Sequence, residues 1–429
     1  MIGCGKYTGE LSAWFAARGH EIRVVTAPPY YPAWKIWKGF RVWFYKVERL
    51  APEEQERQKS VREVRVYRCP LFVPARPSGL KRLLHLASFA FTSAPIAIWQ
   101  GLWWRPDCIF VVAPTFFCAP AAWLAARFGG SRAWLHIQDF ELDASFEVGL
   151  LRGKSLRAIA TWMERLVLRR YHRVSTISQR MLSKLQEKGV AKDRCVMLAN
   201  WVNTDRIFPL ETPSTFRGEL GLKPEDTVVL YSGNMGEKQG LELMLDVARI
   251  LANVSGLYFV LCGEGAAQRR LQEMAVDLQN VRFLPLQPME RFNDLLNMAD
   301  IHFLIQRPEI ADFVMPSKLT GILAAGGAVI ATTHPNTELA KVIADAGGIM
   351  VPPGAPHALA EALSDLLKNG SMKLEDIRRR AREYAMSSFS LEVILTELEA
   401  KFEALRRRGI IESQNMSVAG IGQSLENKK

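Results

Sequence analysis

A chain of 429 residues, 48% hydrophobic and 23% charged, is too long for one core and too apolar for a disordered protein, so two or three folded domains are expected. Its net charge of +11 is uneven: residues 1–206 hold 32 Lys and Arg against 16 Asp and Glu, the remainder 23 against 28, which turns the first half toward an anionic surface, membrane lipid or nucleic acid. Cys4, Cys69, Cys108, Cys118, Cys195 and Cys262 stand far apart, with no CxxC pair and no nearby His, which excludes a zinc ribbon and a disulfide scaffold and points to a reducing cytoplasm.

In chain order, Gly3-Cys4-Gly5-Lys6 reads as a turn, Tyr7–Arg18 as an amphipathic helix closed by Gly19-His20, and Glu21–Thr26 as a strand. The opening does not read as a signal peptide. A Gly-rich turn feeding a helix and a parallel strand is the second half of a strand-helix-strand unit. A first, central strand is therefore expected upstream of Met1, within a further roughly 10 to 20 residues.

Pro28–Phe44 mixes aromatics, prolines and cations, Glu53-Glu54-Gln55-Glu56 marks a solvated loop, and Val61–Cys69 alternates as a strand with one apolar face. Leu86–Trp104 carries no charge over 19 residues, enough to cross a bilayer, although Pro95 and Gln100 interrupt it. Three settings satisfy it: a buried helix, a membrane-surface helix flanked by Lys81, Arg82 and Arg105, and a span. Asp107–Ala113 is a strand, Phe117–Phe128 a helix, and Ala133–Ile137 a strand that delivers His136, Gln138, Asp139 and Glu141 at its carboxyl end, where open parallel sheets place ligands. Leu151–Tyr171 is a long helix bearing Arg152, Lys154, Arg157, Arg165, Arg169 and Arg170; Arg173–Ser178 and Cys195–Ala199 are strands. The pattern breaks at Asn200–Asp205, which ends the first domain at 206.

The second half alternates more cleanly. Thr227–Ser232, Leu257–Cys262, Val281–Leu284, Ile301–Ile305, Ala328–Thr332 and Gly348–Val351 read as strands separated by helices, which demands a doubly wound sheet over 207–386. Within it, PEIADFVMPSKLTGILAAGGAVIATT (308–333) is loop, helix, glycine turn and buried strand. Pro316 and Ser317 start the helix, Gly326-Gly327 stop it, and Lys318 adds a positive charge at the end that favours an anion such as a nucleotide diphosphate. A helix over 387–408 follows, then a polar tail, 409–429, expected to be disordered.

Two Rossmann-like doubly wound domains with an interdomain cleft are the α/β plan of GT-B glycosyltransferases, and the motifs resemble those of the retaining family numbered four. GCGKYTGELSAWFAARGHEIRVVT resembles its first Gly-rich loop and helix, NWVNTDRIFP its interdomain segment, and YSGNMGEKQGLE its diphosphate loop. GEG with NVRFLPLQP resembles its base-binding region, and the segment through PSKLTGILAAGG its nucleotide-sugar helix, in wording most similar to the branch of colanic-acid-type fucosyltransferases. Two departures remove charge: Asn234 and Gln239 stand where the family has Arg and Lys, with Lys238 one step away, and Phe313 and Gly321 stand where it has two Glu.

The resemblance implies transfer of a sugar, with retention, from a GDP- or UDP-sugar to a lipid-linked or polysaccharide acceptor in bacterial cell-surface glycan synthesis. It implies His136, Asp139, Lys238 and Lys318 as catalytic groups, and Gly233, Asn234, Met235, Gln239, Glu264, Leu286, Pro316, Ser317 and Leu319 against the donor, with Glu309 and Asp312 near enough to replace the first family Glu. Gly5, Lys6 and Tyr7 form the acceptor-side loop. His136 also fits a core imidazole at a strand end. No Asp-x-Asp occurs, so neither metal nor cofactor is expected, and preset cations and amide dipoles, including the amides of Gly233–Met235, would stabilise the leaving diphosphate. The basic half suggests contact with an anionic membrane at the inner face of the plasma membrane; it lacks the dense repeats and stacking platforms of a nucleic-acid binder. A sugar-nucleotide epimerase and a non-catalytic sugar-nucleotide-binding relic are the rival readings.

Overall fold

The first apolar stripe of the chain forms a helix that begins three residues, less than one turn, earlier than its glycines suggest. In the computed structural model, which describes residues 4–30, 34–50, 62–75, 79–113, 116–140, 142, 153–308, 316–368 and 370–407, with backbone alone at 4, 79, 80, 154, 156, 238, 370 and 371, α1 runs from Cys4 to Ala17. Gly5 and Lys6 are thus helical rather than a turn. Packing of Ala16 against Val64 and Val66 outweighs the cost of about 1 kcal/mol for a helical glycine.

The chain divides into two units, Met1–Ala199 with Leu395–Lys429, and Asn200–Ile394. The first contains β1 (Arg23–Thr26), β2 (Lys46–Leu50), β3 (Val64–Arg68), α2 (Gly79–Trp103), β4 (Cys108–Ala113), α3 (Ala119–Gly129), β5 (Arg132–Ile137), α4 (Lys154–Leu168), β6 (Arg173–Thr176), α5 (Gln179–Glu187) and β7 (Cys195–Met197). Among the described residues its strands form two sheets, β1-β3-β2 and the parallel β4-β5-β6-β7. The unexpected β2 pairs antiparallel to β3. It is mostly exposed and has no apolar alternation to betray it; Glu48 accepts from Arg68 and pairs with Lys46, which ties this edge to its neighbour.

The second unit contains α6 (Thr215–Glu219), β8 (Thr227–Ser232), α7 (Glu242–Ile250), β9 (Leu257–Cys262), α8 (Gln268–Met274), β10 (Val281–Leu284), α9 (Phe292–Asn297), β11 (Ile301–Leu304), α10 (Lys318–Ala324), β12 (Ala328–Thr332), α11 (Glu338–Asp345), β13 (Ile349–Val351), α12 (Pro356–Lys368) and α13 (Gly370–Tyr384). All six strands are parallel, in the order β10-β9-β8-β11-β12-β13. Covered on both faces, they read as unbroken apolar runs: Val229, Tyr231, Phe259, Leu261, Ile301 and Phe303 enter one core, Val228, Leu230 and Val260 the other. Gly326, at φ +67°, ends α10 by donating to the Leu323 carbonyl at 3.0 Å, and Gly327 donates to that of Ile322 at 2.9 Å. A last helix, α14 (391–407), lays Phe402 against Phe110 and Trp134 of the first unit.

Candidate functional site

The order of the six-stranded sheet reverses at β8. Its sequence neighbour β9 lies on one side and β11 on the other, so the crevice at the carboxyl ends of β8 and β11 is the topological switch point. The chain leaves β8 through Gly233, at φ +143°, and the loop from β9 carries Gly263 and Gly265, at φ +145° and +159°. These two glycines admit backbone against backbone: a Cβ on Gly263 would fall 1.9 Å from the Gly233 oxygen, and one on Gly265 2.4 Å from that of Met235.

This interlock corrects one expectation about the loop. The Gly233 amide donates to Cys262 O at 2.9 Å and the Met235 amide to Glu264 O at 2.8 Å, so neither is spare for a diphosphate. Met235 is an anchor with its side chain fully buried, and the exposed Glu264 serves the loop through its carbonyl. The exposed Asn234 sits with its amide group against Gly236 and Gly265.

A charge available to an anion is that of Lys318, the first residue of α10. Its Nζ lies 3.8 Å from the centroid of the Tyr231 ring and 3.2 Å from where a Gly233 Cβ would be. Among the described residues it forms no ion pair, and burial pushes its ammonium down to about 7. Tyr231 is itself buried and donates its hydroxyl to Asn234 O at 2.8 Å, so one side chain supports both the loop and the cation. A cation held over an aromatic face, with no carboxylate on it among the described residues, is poised for an incoming anion.

The other candidates are placed as follows. Gln239 turns its Oε1 inward, where among the described residues it meets no hydrogen-bond partner. Ser317 is exposed and already helical, and its side chain makes no cap bond; Pro316 and Leu319 are buried as packing. Leu286 is exposed after β10. Glu309, Asp312 and the side chain of Lys238 lie outside the described residues. Arg307, which the sequence reading missed, follows β11 with its Cγ 2.8 Å from a Cβ built on Gly240. It donates to Glu242 at 3.3 Å, where Arg270 also donates at 2.5 Å. Its place just past the end of a core strand was the available signal.

In the first unit, His136 is 3% exposed at the end of β5. Its Nδ1 bonds Ser175 Oγ at 2.9 Å, its Nε2 lies 2.9 Å from the Gln138 amide nitrogen, and its ring stacks on Phe110. Accepting at Nε2 assigns the proton to Nδ1, and burial pushes the imidazole down to about 3. The structure thus makes His136 a neutral core group. Asp139 is exposed. Lys6 Nζ lies 5.6 Å from the ring centroid of Tyr7 in the first turns of α1, where Gly5 has no neighbour within 4 Å of a built Cβ.

Residues 3–201 match the family described as glycosyl transferase 4-like domain, and residues 214–386 that described as glycosyl transferases group 1. The chain is 40% identical over 406 residues, 92% of its own length and 95% of the relative's, to WcaI of Escherichia coli (strain K12), named as a colanic acid biosynthesis glycosyl transferase. Two solved structures share the fold: sucrose-phosphate synthase from Thermosynechococcus elongatus, with TM-score 0.67 at 16% identity and 94% of both chains covered, and Anabaena HepE in complex with UDP-glucose, with TM-score 0.57 at 16% identity over 77% of this chain and 84% of that one. On these matches and this architecture, the chain belongs to the GT-B glycosyltransferases that join a glycosyl transferase 4-like domain to a group 1 domain.

Proposed function

We propose that the second unit binds a nucleotide-sugar at its switch point with the diphosphate against Lys318, and that the chain passes the sugar, with retention of configuration, to a lipid-linked or polysaccharide acceptor in bacterial exopolysaccharide synthesis. The observation that carries the reading is Lys318 Nζ held over Tyr231 beside Gly233, with no carboxylate partner among the described residues. As the bond from C1 to the diphosphate oxygen breaks, its electron pair stays on that oxygen, and a preset cation lowers the barrier by stabilising the charge that develops there. Arg307, which donates to Glu242, lies against Gly240 in the loop that follows β8. No metal is needed in this scheme, because Lys318 supplies the charge.

The relative's name supports a colanic-acid-type glycan as the product, and the UDP-glucose complex of the structural neighbour supports a nucleotide-sugar donor. GDP- and UDP-hexoses, GDP-fucose among them, are the donors proposed. The work is done at the inner face of the plasma membrane, with the acceptor lipid in the bilayer. A thermal-shift screen against GDP-, UDP- and ADP-sugars tests the donor: one nucleotide should raise the melting temperature, by RT ln(1 + [L]/Kd) in free energy. Failure of every nucleotide to do so sinks the reading, and release of nucleotide without any acceptor turns it toward an epimerase.

A further inference from the structure

Two helices of the first unit are amphipathic the wrong way round for a soluble domain. On α4, Ile159, Trp162, Met163 and Leu166 recur three and four residues apart, so they form one stripe, and all four are exposed, Trp162 by 63%. The inward face of the same helix carries Glu164, buried and bonded to Lys188 at 2.5 Å. On α2, Leu84, Phe91, Trp99, Leu102 and Trp103 are exposed, Phe91 by 83% and Trp103 by 75%, whereas His85, Ser93 and Gln100 are buried. These inward polar groups find partners within the protein: His85 meets Phe72 O and Tyr30 Oη, Ser93 donates to Ala90 O, and Gln100 Oε1 accepts from Arg23, although the Gln100 Nε2 meets no partner among the described residues.

The polar groups therefore face in because they have partners there, and the apolar groups face out although water is the poorer solvent for them. The two helices are also connected. α3 packs against α2 through the close approach of Gly101 and Gly129, and receives the end of α4 through Arg170 over Trp123 and the Tyr171 hydroxyl on Ala119 O.

The exposed charge described on the two helices has one sign. Arg157, Arg165, Arg169 and Arg170 are exposed on or just after α4, Lys81 and Arg82 at the start of α2, and the sole carboxylate in either helix is the buried, paired Glu164. Exposed Trp, Phe, Ile and Leu rimmed by Arg and Lys, with no exposed carboxylate among the described residues of either helix, is the chemistry of a helix lying in the headgroup plane of an anionic bilayer. Although α2 has the length and mean hydropathy of a span, its inward bonds and its packing on α3 lay it along the surface.

We propose that the outward stripes of α2 and α4 together dock the first unit on an anionic lipid bilayer, so that a lipid-borne substrate is met at the membrane surface. This rests on the acceptor reading above only for its purpose, not for the binding itself. The test is flotation of the full chain with vesicles of phosphatidylcholine, with or without phosphatidylglycerol. The chain should float with the anionic vesicles, salt should release part of it, and Trp162→Gln with Leu166→Gln, or Phe91→Gln with Trp103→Gln, should weaken binding by roughly tenfold or more. Arg165→Gln with Arg169→Gln, a pair of exposed changes, should weaken it roughly fivefold per cation and flatten its salt dependence.

The wild-type chain staying at the bottom with anionic vesicles overturns the proposal. So does equal flotation of all three double variants, or a chain that is dimeric in solution, does not float, and is dispersed to monomers by the stripe variants, which would give the surface to a second copy. Nucleotide-induced thermal shifts on the same proteins keep the two readings apart: flotation without any nucleotide response refutes the transferase site alone, and nucleotide response without flotation refutes the docking surface alone.

Discussion

Replacing Lys318 by Met should make the unliganded protein more stable and the enzyme nearly inactive. In the folded chain burial lowers the Lys318 pKa from 10.5 to about 7. The unfolded chain therefore binds more protons than the folded one between those values, and wild-type stability rises with pH across that window. At or below pH 7 the whole penalty for burying the ammonium is in force. At about 1.4 kcal/mol per unit it amounts to roughly 5 kcal/mol, and relaxation and water reduce it, so a gain on the order of 2 kcal/mol is expected for Lys318→Met. That gain should fade as pH rises toward 10.5, the ordinary value for the group. The same charge stabilises the departing diphosphate, and losing such a contact costs roughly 2 to 4 kcal/mol of barrier, a factor of about 30 to 1,000 in turnover. Urea melts at several pH values and single-turnover transfer measure the two halves. A variant less stable than wild type at pH 7, or one with undiminished turnover, refutes the argument that a desolvated cation with no ion pair among the described residues is kept here for an anionic ligand.

Tyr231→Phe keeps the ring under Lys318 but drops the bond to Asn234 O, whereas Tyr231→Leu removes the ring as well. The Leu variant should lose the nucleotide affinity and shift the pH profile set by Lys318, and the Phe variant should keep that profile; isothermal titration across pH 6 to 8.5 decides, with roughly 0.5–2 kcal/mol at stake in the cation-ring contact. Gly263→Ala forces a Cβ to within 1.9 Å of Gly233 O at φ +145°, so it should cost roughly 3 kcal/mol or more and loosen both loops, seen as a lower melting temperature and weaker nucleotide binding. His302, in the core of the second unit, is pushed down to about 3 by burial and by nearby Arg378. Its unfolded form takes up a proton near pH 6.5 and its folded form does not, so stability should fall as pH drops from 6.5 toward 3. His302→Leu should blunt that loss, and an unchanged acid midpoint would show that other groups govern acid unfolding.

Much of the second unit was legible from local pattern. Continuous apolar runs such as Thr227–Ser232 and Ala328–Thr332 can only be strands buried on both faces, and Gly326-Gly327 after an apolar helix can hardly avoid stopping it. The chemistry of Lys318, a cation at the start of that helix, was also visible. What makes it a site was not, because the Tyr231 ring and the Gly233 turn reach it from 87 and 85 positions away in the chain, and no local rule encodes that approach. The amides of Gly233 and Met235 looked available until the loop from β9 claimed them, a pairing made possible by glycines whose purpose appears only when two backbones meet. In the first unit, periodicity marked α2 and α4 as helices but was silent on which way they face. Burial of Glu164 and exposure of Trp162 follow from where Lys188 lies and from what α4 packs against. A sequence determines the period of its elements through neighbours three or four residues apart; the partner that each face finds is set by contacts distant in the chain, and only the tertiary structure decides it.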